Sequence, residues 1–151
     1  MEIDYAYIPK EEKVKIARAM GRDLDISLKN AVIVCERIKG MELQKAKNLL
    51  SDVISLKRAI PFRRFKKNIA HKKGLGKDAI AKYPKKAAFE ILKILNNLEK
   101  NSEYKGLNTE KLKIINAVTL KGISRVKRKP KGRYQRRVSQ LVNIQITAKE
   151  A

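Results

Sequence analysis

KLKIINAVTLKGISRVKRKPKGRYQRRVSQLVNIQITAK, residues Lys111 to Lys149, holds 12 lysines or arginines and no aspartate or glutamate in 39 residues. Nine of those cations fall between Lys121 and Arg137. On both sides of the cluster apolar residues recur with period two: Leu112, Ile114, Val118 and Leu120 going out, then Val138, Val142, Ile144 and Ile146 coming back. That pattern predicts two antiparallel strands. Pro130 and Gly132 mark the turn between them. Leu112 to Lys129, if extended at ~3.3 Å per residue, spans roughly 60 Å, several times a usual strand. The outer part of such a hairpin has to leave the protein body as a cationic finger, and a polyanion is the partner that neutralises it.

Working outward from this hairpin, the remaining sequence supplies a body. Val14 to Ile26 shows partial alternation (Val14, Ile16, Met20, Leu24) and reads as a strand bulged near Gly21. Ser27 suits an N-cap, and Leu28, Ala31, Val32, Cys35 and Ile38 follow at helical spacing until Gly40, placed to take a left-handed terminal position. A second helix follows, with Leu43, Ala46, Leu50, Val53 and Ile54 on one face and Pro61 as its stop. After an aperiodic stretch, Pro84 opens a third helix carrying Ala88, Ile91, Leu92, Leu95 and Leu98, which Gly106 ends. One strand, three helices and a long hairpin predict an α+β fold. The expected architecture is a three-stranded antiparallel sheet covered by three helices, with a long protruding β-hairpin. The chain reads as a single domain over residues 1–151, its compact body at about 1–120 and 138–151 and its extended hairpin tip at about 121–137.

The charge balance agrees with a polyanionic partner. Thirty-seven basic against 15 acidic residues leave +22 on 151 residues, while 43% hydrophobic residues allow an ordinary core. A second acid-free stretch, Val53 to Lys77, carries Lys57, Arg58, Arg63, Arg64, Lys66, Lys67, His71, Lys72 and Lys73 around the flexible pair Gly74 and Gly76. A merely solvated face normally mixes both signs, so two long stretches without any acid point to nucleic acid. A basic ribbon lacking a recognition helix or zinc module suits folded RNA, where phosphates, shape and 2′-hydroxyls dominate. In the hairpin, Lys121, Lys127, Arg136 and Arg137 are candidate RNA ligands. Arginines fork onto phosphates or stack on bases, and lysines act as point charges. Tyr134, Phe62 and Phe65 are candidate stacking residues; for the two phenylalanines core packing is an equal alternative.

The residue inventory leaves an enzyme little to use. The single histidine, His71, has no orienting carboxylate near it in sequence, and the single cysteine, Cys35, lies on an apolar helical stripe where it acts as a small hydrophobe. Gly74-Leu75-Gly76 is too short and too basic for a dinucleotide loop. No metal-ligand spacing or cofactor fingerprint is present, and no metal or cofactor is expected. One cysteine, no secretory signal pattern and no 18-residue apolar run give a cytoplasmic location and no membrane partner as the expectation.

Several motifs together resemble the large-subunit ribosomal protein family numbered twenty-two in the universal scheme and seventeen in eukaryotes. Ser27, Lys29 and Ala31, then Ile38, Gly40, Met41, Leu43 and Ala46, are similar to its two-helix signature. Ile60 to Arg64, Tyr83 to Ala87 and Leu107 resemble its archaeal and eukaryotic branch. The resemblance covers nearly the whole chain. It implies a structural constituent of the large ribosomal subunit with no turnover, whose α+β body binds large-subunit ribosomal RNA beside other large-subunit proteins and supports assembly. It also implies that the hairpin lines the nascent-peptide exit tunnel, touching the nascent polypeptide through a tip at Arg125, Val126, Lys127, Arg128, Lys129, Pro130, Lys131, Gly132 and Arg133. Many members carry Pro-Arg-Ala-x-Gly-Arg at the tip. Here Arg128-Lys129-Pro130-Lys131-Gly132-Arg133 places proline two residues before glycine instead of four. A different class, an architectural DNA-binding protein of chromatin type, is the alternative. It calls for apolar wedges at the tip, where the chain offers Ile123 and Val126.

Overall fold

The computed structural model describes residues 5–7, 15–132 and 134–150; Val14 and Arg133, both invoked above, lie outside them. The elements in chain order are β1 (Ile16–Leu24), α1 (Leu28–Ile38), α2 (Leu43–Ile54), β2 (Ile60–Pro61), β3 (Ala81–Lys82), α3 (Lys85–Tyr104), β4 (Leu112–Arg128) and β5 (Arg136–Glu150). A three-stranded antiparallel sheet has the order β1-β5-β4, so the returning strand of the long hairpin is central. The three helices bury their apolar stripes against one face of it. Ile38, Leu50, Ile91, Leu95 and Leu98 from the helices meet Leu112, Ile114, Ile144 and Ile146 from the sheet, all essentially inaccessible to solvent. The expected α+β architecture is what folds.

Local chemistry explains the element ends, with some differences from the sequence reading. Ser27 occupies the N-cap of α1, but its backbone carbonyl does the work by accepting from Ala31 N–H at 2.9 Å; the hydroxyl makes no capping bond. Ile33 and Val34 are buried on α1, whereas Val32 is only half-buried. The buried stripe is rotated because β2 packs on α1 as well as β4. Gly40 takes φ +82°, donates to Ile114 O at 2.8 Å, and Ile114 N–H donates back to Met41 O at 2.9 Å. The junction between α1 and α2 is thereby tied to β4. Helix α2 ends at Ile54, well before Pro61: Ser55 Oγ donates to Ser51 O, Leu56 turns left-handed at φ +63°, and Lys57 and Arg58 N–H both donate to Asp52 O. Pro61 instead belongs to the two-residue strand β2. Pro84 sits one position before the first turn of α3, and its carbonyl accepts from Ala88 N–H.

The largest departure lies in β4. Ile114 pairs with Ala148 but Asn116 pairs with Thr147, so Ile115 is an extra residue, a β-bulge. Side chains alternate along a strand, so one inserted residue exchanges the faces beyond it. Leu112 and Ile114 face the helices as expected. Past the bulge Ala117, Thr119 and Lys121 take that side, opposite Ile146, Ile144 and Val142, and Val118 and Leu120 turn to the other face, where they are half-buried. On that outer face Gln145 Oε1 accepts from Ala6 N–H at 2.8 Å, and Arg18 lies 5.2 Å above the Tyr5 ring, so residues 5–7 pass over the sheet.

Candidate nucleic-acid interface

The basic loop has more order than its sequence suggested. β2 pairs with β3 (Ile60 with Lys82, Pro61 with Ala81), Phe62 N–H donates to Ile80 O, His71 bridges Ile80, and Lys72 N–H donates to Ala79 O. Phe62 is 3% exposed and belongs to the core, which settles its two readings and pins the start of the loop. Phe65 remains 41% exposed, with Lys29 Nζ 5.6 Å and Arg64 Cζ 5.5 Å from its ring centre. Lys57, Arg58, Lys66, Lys67, His71 and Lys73 are exposed, whereas Lys72 is half-buried with its ammonium 5.5 Å from the Tyr83 ring. Arg63 and Arg64 differ from the free cations the sequence suggested: Arg63 Nη2 bonds Asp78 Oδ2 at 3.1 Å and Arg64 Nη1 bonds Glu36 Oε1 at 2.8 Å. Both guanidinium groups stay largely exposed, so these acids position them rather than hide them. Lys29 and Lys82 also join this surface. Lys82 reaches the Phe62 ring at 5.9 Å, and neither residue lies in the acid-free stretch that drew attention to the loop.

The ribbon begins at a second bulge. Lys121 pairs with Val142 and Ser124 with Gln140, while β1 ends its pairing at Leu24, also opposite Val142. Gly122 fits because a Cβ there would lie 2.9 Å from Asp23 Oδ1 and 3.2 Å from the Leu141 carbonyl oxygen. Beyond this point, among the described residues, β4 and β5 pair only with each other, and every one of those residues from Ile123 to Ser139 is exposed. Their register sorts the side chains. Val126 lies opposite Val138 with Ser124 and Gln140 below them on one face, and Ser124 Oγ donates to Gln140 Oε1 at 2.7 Å. Arg125, Lys127 and Arg137 share the other face with Ser139. Lys127 pairs directly with Arg137 and Arg128 with Arg136, two like-charge pairs that oppose strand association. At the end Lys129 N–H donates to Gln135 O at 3.0 Å, and its ammonium donates to Gln135 Oε1 at 2.6 Å. Lys131 and Gly132 take left-handed φ values of +66° and +67° within the loop that Lys129 and Gln135 close. Tyr134 is 94% exposed beside Val126, Arg128 and Arg136.

Asp23, beside Gly122, and Asp25 both stand at the root of the ribbon. Asp25 Oδ2 accepts from Lys86 Nζ at 2.7 Å, and that bond and charge hold its carboxyl below the usual value, with Arg125 adding to the effect. Cys35 is 2% exposed in α1; burial, and secondarily Glu36, pushes its thiol up to about 12, so it is protonated at neutral pH. Among the described residues no group of three or more His, Cys, Asp or Glu side chains converges to hold a metal, and no helix is long and apolar enough to cross a membrane.

A compact three-helix body on a bulged sheet, with a basic loop and a two-stranded cationic ribbon, is matched by the family model of ribosomal protein L22p/L17e over residues 19–149. The chain belongs to that family. Loop and ribbon both lie inside the match. The chain is 46% identical over 148 residues to a protein of Archaeoglobus fulgidus, covering 97% of this chain and 95% of the relative. It is 47% identical over 139 residues to one of Methanocaldococcus jannaschii (90% and 88% covered), and 42% identical over 138 residues to one of Methanococcus aeolicus (90% of each). All three relatives are described as large ribosomal subunit protein uL22. The L22p/L17e family is a ribosomal one and not an enzyme family.

Proposed function

We propose that this protein is a structural constituent of the large ribosomal subunit that binds large-subunit ribosomal RNA, supports its assembly, and lines the nascent-peptide tunnel with its hairpin. The observation that carries this reading is the pairing of Lys127 with Arg137 and of Arg128 with Arg136 along an exposed two-stranded ribbon. Such a ribbon is marginal alone and carries its own repulsion, so surrounding phosphates are what favour it. Family membership supports the same partner. In this reading the body, about 1–120 and 138–151, and the tip, about 121–137, form one domain with two tasks. Lys57, Arg58, Lys66, Lys67, Lys73 and His71 meet RNA from the loop; Arg63 and Arg64 do so while held by Asp78 and Glu36. Lys72 contributes from its seat over Tyr83. From the ribbon Lys121, Lys127, Arg136 and Arg137 bind phosphates, and the segment from Arg125 through Lys129 and Pro130 to Arg133 reaches the tunnel wall and the nascent polypeptide. Other large-subunit proteins abut the body, and the cytoplasm is the compartment.

Sedimentation of the tagged protein from cell extract tests this proposal. The protein is expected with large subunits and whole ribosomes, released by RNase and by high salt. Recovery mainly with chromatin, insensitive to RNase, would instead support the architectural DNA-binding reading.

A further inference from the structure

Where α1 runs into α2 beside β2, a recess of about 410 Å³ opens. Buried Ile33 and half-buried Met41 and Pro61 give it an apolar floor, and exposed Arg37, Lys39 and Arg63 stand around its rim. Its one acid, Glu36, is already held by Arg64 at 2.8 Å. Arg37 and Lys39 have no ion-pair partner among the described residues, and Arg63 keeps most of its guanidinium in solvent while Asp78 holds one nitrogen. The recess therefore combines three available cations with an uncharged surface.

We propose that this recess takes one unpaired nucleotide turned out of a folded RNA, with its base against Met41 and Pro61 and its phosphates on Arg37 and Lys39. The inference rests on the RNA-binding reading above but concerns residues outside both the basic loop and the ribbon, apart from Pro61 and Arg63. A duplex offers such a recess only phosphates, whereas an unstacked base offers a flat face. The recess falls within the ~300–1,000 Å³ typical of small-ligand sites. A thioether packs well against a π-face, and a guanidinium plane stacks on one. The C-terminal end of a helix disfavours anions. Here two of the last four carbonyls of α1 are engaged, Cys35 O by Lys39 N–H and Ile38 O by Met41 N–H, and the cations of Arg37, Lys39 and Arg63 stand against the negative end of the helix.

The test uses the full-length chain bound to transcribed large-subunit ribosomal RNA of Archaeoglobus fulgidus. Ultraviolet crosslinking with peptide mapping is expected to place an unpaired nucleotide on Met41 or Pro61. The double variant Arg37→Ala with Lys39→Ala is expected to lose that crosslink and to lower the logarithmic salt slope of binding by about 1.4–1.8, at roughly 0.7–0.9 per phosphate contact. Arg37→Lys with Lys39→Arg is expected to keep most of the slope. Thermal melting of each variant verifies the fold, and the wild-type crosslink does not depend on any variant folding. If the wild type binds RNA but crosslinks only elsewhere, with the slope of the alanine variant unchanged, the recess proposal is wrong and the RNA-binding reading stands. If the wild type shows no salt-dependent binding to this RNA, both fail together.

Discussion

Lys127 faces Arg137 directly across the ribbon, two cations in one cross-strand pair. Sheets normally place opposite charges or apolar partners at such positions. Replacing Lys127→Glu converts repulsion to attraction and is expected to stabilise the free ribbon by about 0.2–1 kcal/mol while weakening RNA binding. Slower hydrogen exchange at Ser124 to Arg128, together with a smaller salt slope, is the expected pair of results. Unchanged exchange would show that the repulsion does not shape the free hairpin.

In the isolated protein, amides from Arg125 to Arg137 are expected to exchange orders of magnitude faster than those of β5 from Val142 to Ala148. Among the described residues nothing covers the distal ribbon, whereas Val142, Ile144, Ile146 and Ala148 are fully buried. Equal protection in both regions, measured without RNA, would contradict this.

Replacing Val126 to Arg136 by an Asn-Gly turn is expected to leave the body folded, because every described residue removed is exposed and a primed turn closes two strands. The shortened protein is expected to enter large subunits, while nascent-chain crosslinks to it vanish. Its exclusion from subunits would make the ribbon, rather than the loop, the main anchor.

Gly21→Ala is expected to cost about 1–3 kcal/mol. A Cβ there would lie 2.6 Å from Ile94 Cδ1, where β1 packs on α3. The melting midpoint reads this directly, and no change would mean that Ile94 adopts another rotamer freely.

Cys35 titrates near 12 when folded against an ordinary 9.0. The folded thiol keeps its proton where the unfolded one releases it. The group's stabilising contribution is therefore complete below pH 9 and is lost as pH rises towards 12, at up to about 1.4 kcal/mol per pH unit. The stability difference between wild type and Cys35→Ala is expected to change across that window and to be flat below it.

The helices were legible because Leu28 to Ile38, Leu43 to Ile54 and Lys85 to Tyr104 keep their apolar residues on helical faces, and the acid-free composition of residues 111–149 exposed the ribbon. The bulge at Ile115 was not, since alternation by hydropathy reads through an inserted residue when Val118 and Leu120 are apolar on either face. Likewise Asp78 and Glu36, 15 and 28 residues from Arg63 and Arg64, become their partners only when β2 pairs with β3 and packs on α1. Charge runs reveal where cations are abundant; the fold decides which of them are already engaged.

Strand β5 belongs at once to the ribbon and to the centre of the sheet, hydrogen-bonded to β1 on one side and β4 on the other. A pull on the tip along the ribbon axis loads both arms of the hairpin together and reaches the body as shear on the β1-β5 ladder, whose bonds must give way together instead of unzipping one by one. The molecule is built as a cantilever whose beam is clamped through the middle of its own foundation.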